Sequence, residues 1–146
     1  MTTRNQLEDV KINVKLKLSA LWTAVMFCYI YGDYFSLYVP GQIEDFINGK
    51  TLLVSPLKLL AASALMTIPP LMIFLSLSLK PAINRLANII FGTIYTIVML
   101  LIALDSLEPW WTFMVFFAIV EMIITSAIVW FAWRWPKQYP SLQRGS

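Results

Sequence analysis

The sequence predicts an all-α integral membrane fold: an antiparallel four-helix transmembrane bundle with both termini cytoplasmic. Three observations carry this. Of 146 residues, 59% are hydrophobic and only 13% are charged, against about 45–50% and about 25% in a soluble domain. The apolar residues gather into four runs, each close to the roughly 20 residues that a helix needs to cross about 30 Å of hydrocarbon. The basic residues lie unevenly around those runs, as the positive-inside rule describes.

A single domain over 1–146 is expected, with no internal repeat or low-complexity tract. Residues 1–17 form a basic N-terminal arm. Val10 to Leu18 alternates apolar and polar residues, a strand signal in isolation. An isolated strand would leave backbone groups unpaired beside lipid, so the preferred reading is a juxtamembrane segment merging into the first helix, its lysine stems snorkelling to head groups.

The first span, 18–39, is too long for a signal-peptide core and has no small-residue cleavage pattern, so it reads as a retained signal anchor. The outer loop, 40–57, has Ile43, Phe46 and Ile47 at helical spacing, which predicts a short interfacial helix ended by Gly49-Lys50. The second span, 59–79, carries Pro69-Pro70, which withdraw the donors for the Leu65 and Met66 carbonyls and predict a kink. Lys80-Pro81 joins it to the third span, 86–104, in a tight helical hairpin, with Pro81 suited to a first helical turn. A brief acidic connection with Asp105 and Glu108 leads to the fourth span, 110–133. None of the runs alternates like a barrel strand, and backbone pairing in lipid leaves helices as the solution.

With four spans both termini share a side. That side collects Arg4, Lys11, Lys15, Lys17, Lys80, Arg85, Arg134, Lys137 and Arg144, leaving Lys50 and Lys58 opposite. The rule makes the first side cytoplasmic. The net charge of +3 reflects this topology and attraction to anionic lipid; it does not call for nucleic acid. Trp22, Trp130, Trp133 and Trp135 are expected at the inner boundary, and Tyr34, Tyr38, Trp110 and Trp111 at the outer one.

Candidate functional residues are the polar groups that the runs should not contain. Asp33 lies roughly 22 Å up the first helix and Glu121 roughly 18 Å up the fourth. A carboxylate at such depth costs at least about 2.5 kcal/mol, so each acid must be protonated, hydrogen-bonded or open to water. On the third helix Asn84, Asn88, Gly92, Tyr95 and Met99 recur on one face. Ser63 and Thr67 are four apart on the second, and Trp22, Met26, Tyr29, Asp33 and Ser36 share a face of the first. The ligand- or proton-binding set is therefore Glu121, Asp33, Tyr29, Tyr95, Asn88, Thr67 and Ser63. Structural alternatives stand beside it: Asp33 as an interfacial acid near Tyr34 and Tyr38, Glu121 as a neutral acid joining helices, the asparagines as interhelical glue, Gly32 and Gly92 as close-approach positions, and Cys28 as a small packing residue.

The stretch Asp9-Val10-Lys11-Ile12-Asn13-Val14-Lys15, then Lys17-Leu18-Ser19-Ala20-Leu21-Trp22, Met26-Phe27-Cys28-Tyr29-Ile30-Tyr31-Gly32-Asp33-Tyr34 and Tyr38-Val39-Pro40-Gly41 resembles an uncharacterised family of small bacterial inner-membrane proteins, a domain of unknown function. Lys80-Pro81-Ala82-Ile83-Asn84-Arg85, Glu121 and Trp130 to Trp135 are similar to its second half. The resemblance covers nearly the whole chain and implies a four-span membrane protein without implying an activity. The architecture also resembles DoxX-like proteins and small multidrug exporters at the level of fold.

The chain contains no histidine and a single cysteine, which removes the commonest general base and metal ligand. No catalytic residue, metal or cofactor is called for. The preferred reading is binding or proton-linked transport of a small apolar or cationic ligand through the carboxylate cluster, with the lipid bilayer as surroundings and a homodimer enlarging the interior. The alternatives are a membrane-embedded enzyme acting on a lipid or quinone, and an accessory subunit docking through its aromatic fourth helix.

Overall fold

The computed structural model describes residues 10–136. Arg4, Lys137 and Arg144, and with them part of the predicted arm, lie outside the described residues. The elements are α1 (Val14–Ser36), α2 (Gln42–Ile47), α3 (Pro56–Ser78), α4 (Pro81–Asp105), a 3₁₀ turn (Pro109–Trp111) and α5 (Thr112–Trp133). The four long helices, the last counted from Pro109, are each long and apolar enough to cross a membrane. The chain is a multi-pass membrane protein.

Local chemistry sets the helix ends. α1 starts four residues before the apolar run because the Asn13 side chain accepts from the Lys15 N–H at 2.9 Å, supplying one missing first-turn partner. Ser55 caps α3 in the same way, and Pro56 and Pro81 occupy first-turn positions of α3 and α4. The short α2 ends where Gly49 adopts φ +67°, a left-handed conformation that glycine enters without steric cost. At the far end of α3, the Lys15 ammonium donates to the Leu77 and Leu79 carbonyls at 3.1 and 2.7 Å, satisfying terminal acceptors that α3 cannot pair itself.

α1 packs against α3 and α5, and α5 packs most extensively against α4. Contacts pair opposite ends of these neighbours. Ser19 near the start of α1 donates to the Ile73 carbonyl late in α3, and the Lys17 ammonium stands 5.3 Å from the Phe131 ring late in α5. α4 and α5 approach closely at Gly92, where a Cβ would come within 2.8 Å of Val129 Cγ2. Short residues let helix backbones meet where burying apolar surface gains little over lipid.

Two expectations are corrected. α3 and α4 are joined through Leu79 and Lys80, yet they splay rather than pack as a tight hairpin: α3 lies on α1 and meets α4 at few points. The short connection pins the ends only, while the Lys15 and Ser19 bonds hold α3 to α1. Trp22, expected among the boundary aromatics, does not face outward. It is wholly buried in the bundle, because its indole N–H finds an acceptor, Asn88 Oδ1, at 2.8 Å. Trp130 and Trp133 are exposed, and Arg134 and Arg85 stand over their rings at 4.9 and 5.9 Å.

Candidate functional site

Two polar layers occupy the bundle interior. The first gathers Trp22, Ser76, Asn84 and Asn88, all buried. Asn88 Oδ1 accepts from the Trp22 indole, with the Ser76 hydroxyl at 3.4 Å, and Asn88 Nδ2 donates to Asn84 Oδ1 at 2.7 Å and to the Asn84 carbonyl at 2.9 Å. Asn84 Nδ2 in turn donates to the Ser76 carbonyl at 2.5 Å. Every side-chain polar atom here has a partner, which is what a dry polar layer requires. This layer joins α1, α3 and α4.

The second layer is different. A cavity of about 230 Å³ lies among all four long helices in the half of the bundle nearer α2. α4 contributes Tyr95, Val98, Met99 and Ile102 to it, continuing the stripe that begins at Asn84; all five stripe residues recognised by spacing are buried. α1 contributes Cys28, Tyr29, Gly32 and Asp33, and α5 contributes Met114, Ala118 and Glu121. Gly32 is buried against Met114, whose sulfur would lie 3.7 Å from a Cβ at that position.

The α3 wall consists of Leu65 and Met66, the residues whose carbonyls lose helical donors at Pro69 and Pro70. The Leu65 carbonyl accepts instead from the Tyr95 hydroxyl. This bond links α3 to α4 across their splayed region. Tyr95 is held from the other side by edge-on rings, Trp22 with centroids 5.8 Å apart and Tyr29 at 6.1 Å.

Glu121 is the outstanding group of the cavity. It is 3% exposed, yet its Oε2 is buried with no hydrogen-bond partner, alone in this among the buried side-chain polar atoms of the described residues. It lies about 14 Å along α5 from Thr112. The Tyr95 hydroxyl, on the same cavity, is committed to the Leu65 carbonyl. The neighbouring hydroxyl, Thr125, donates to the Glu121 backbone carbonyl at 2.8 Å and pairs with Thr96 at 2.7 Å. Asp33 also lines the cavity but is exposed, so it forms the mouth while Glu121 forms the floor. No lysine or arginine lines the cavity.

Of the seven residues singled out from sequence, the structure brings four to this cavity: Tyr29, Asp33, Tyr95 and Glu121. Asn88 belongs to the other layer. Ser63 and Thr67 are not brought in; both face outward, with hydroxyls donating back to the Leu59 and Ser63 carbonyls at 2.8 and 2.7 Å. A hydroxyl satisfied by its own helix needs no polar neighbour and tolerates lipid. The inward face of α3 runs instead through Met66, Pro69, Met72 and Ser76. Sequence reading passed over Met66 and Met114 as lining residues, since methionine at helical spacing is ordinary packing material. The only available signal was their position beside the Pro pair and opposite Gly32.

Fold and site together define a four-span membrane bundle that encloses an apolar cavity around a buried carboxyl group. The chain belongs to the Family of unknown function (DUF6326), whose pattern matches residues 7–140. No curated protein and no solved structure matches it.

Proposed function

We propose that the protein binds a small molecule in the Glu121 cavity and exchanges it for a proton across the cell inner membrane, with both termini on the cytoplasmic side. The observation that carries this reading is the unpartnered Glu121 Oε2 in the floor of an otherwise apolar cavity. A buried polar atom without a partner is costly, and a ligand donor, a proton or an ordered water can relieve it. A second acid, Asp33, stands at the mouth, where protons and solutes pass between water and the interior.

The size of the cavity restricts the ligand. A cavity of about 150 Å³ holds benzene, whereas drug-sized ligands occupy about 300–1,000 Å³. At about 230 Å³ the space suits a fragment-sized molecule. An enzymatic reading has less support: among the described residues no three His, Cys, Asp or Glu side chains cluster as a metal site.

The test uses protein reconstituted in nanodiscs and proteoliposomes. Fragment binding measured by ligand-observed NMR, and fragment-driven proton movement read by a lumenal pH dye, should both be present in the wild type. In Glu121→Gln, proton movement should disappear. Proton movement equal in the two proteins rejects the exchange.

A further inference from the structure

We infer that the molecule recognised here is an organic monocation: a primary or secondary ammonium group on a compact apolar body, its N–H donors directed at Glu121. This deepens the proposed function and rests on the cavity being the binding site. Three features of the geometry select this class.

Charge is the first. Both carboxyl groups in the cavity wall are acids without a basic partner: Glu121 at the floor and Asp33 at the mouth. The ion pair that exists among the described residues, Lys50 with Asp45 at 3.8 Å, lies on the outer loop. With both acids ionised, as they are once the exchanged proton has left, an anionic ligand would meet like charge at both ends of its route, with no arginine or lysine in the lining to receive it. A cation meets attraction at the mouth and again at the floor.

Hydrogen-bonding sense is the second. In the deprotonated state that proton exchange requires, the unpartnered Oε2 of Glu121 is an acceptor, so the molecule that replaces the proton must donate. A neutral hydrocarbon would leave Oε2 as it is. A hydroxyl would satisfy it weakly, and an ammonium forms the charge-assisted bond that is the stronger kind. Tyr29 and Tyr95 lie in the same wall and offer aromatic rings to a cation.

The third is what the rest of the wall lacks. A calcium or magnesium ion requires a shell of about six or more oxygens, and the walls beyond the two acids and two tyrosines are the Cys28 thiol, glycine, alanine and aliphatic residues, and the methionines. Such walls suit an apolar body. Their flexible thioether side chains adapt to several shapes, so selectivity falls on the charged head.

Three probes of matched size separate these terms: cyclohexylmethylamine, cyclohexylmethanol and cyclohexanecarboxylate. Binding is measured in nanodiscs of zwitterionic lipid, against empty nanodiscs. In the wild type the amine should bind about tenfold more tightly than the alcohol, the gain from a charge-assisted over a neutral hydrogen bond, and the carboxylate should bind most weakly. Glu121→Gln should bring the amine down to the alcohol. Asp33→Asn, at an exposed position where folding is not at stake, should weaken the amine and leave the alcohol unchanged.

Equal binding of amine and alcohol by the wild type, with both weakened in Glu121→Gln, overturns the cationic specificity while leaving the cavity as a binding site. An amine preference that persists unchanged through both variants also overturns it, since the charge selection would then lie elsewhere. Binding of none of the three probes overturns this inference and the binding site together.

Discussion

Asn88 illustrates how one side chain organises a membrane interior. Its carbonyl oxygen receives the Trp22 indole and its amide reaches back to Asn84, so a single residue ties α1 to α4 and orients the largest buried side chain. Asn88→Ala would leave the indole N–H buried and unpaired, a loss of about 1–3 kcal/mol. The midpoint of SDS-induced unfolding, followed by tryptophan fluorescence, should fall accordingly; an unchanged midpoint would mean that water or lipid replaces the bond freely. The α4 stripe that contains Asn88 was legible in the sequence because Asn, Gly, Tyr and Met recurred at helical spacing among mostly hydrocarbon residues. Ser63 and Thr67 were misleading for the opposite reason. Their hydroxyls fold back on their own helix, so polarity alone does not say which way they point.

At the scale of the element, the proline pair and Tyr95 form one unit. Pro69 withdraws a donor from the Leu65 carbonyl, and the Tyr95 hydroxyl replaces it from another helix. The two should therefore be coupled. Tyr95→Phe should destabilise the wild type by about 0.6–1.7 kcal/mol, the range for interhelical hydrogen bonds in membranes. In a Pro69→Ala background, where the restored backbone N–H can serve the Leu65 carbonyl, the same substitution should cost less. A double-mutant cycle on unfolding free energies measures this, and strictly additive effects would show that the two sites act independently. The freeing of the Leu65 carbonyl was readable from the Pro pair. The residue that captures it was not, since Leu65 and Tyr95 are thirty positions apart and helix phase alone does not choose among neighbours.

For the whole molecule, orientation follows from charge, and it can be checked directly. In a Cys28→Ser background, single cysteines replacing Lys50 in the outer loop and Lys80 between α3 and α4 should label differently with a membrane-impermeant maleimide in right-side-out vesicles. Lys50→Cys should react at once, and Lys80→Cys only after permeabilisation; the reverse pattern would invert the topology.

The sequence alone determined the membrane class, the four helices and their approximate limits, because the requirement to satisfy backbone groups in hydrocarbon leaves a chain of this composition few solutions. It also singled out Glu121 and Asp33, since a carboxyl group among apolar residues is conspicuous at any phase. Which helices touch, and where space remains between them, was decided only in three dimensions. In lipid an apolar side chain is as content outside as inside, so hydrophobicity does not mark the inward face of α3. Packing at Gly92, the Asn88 layer and the Tyr95 bond select the arrangement, and they leave Glu121 facing a cavity rather than a filled seam.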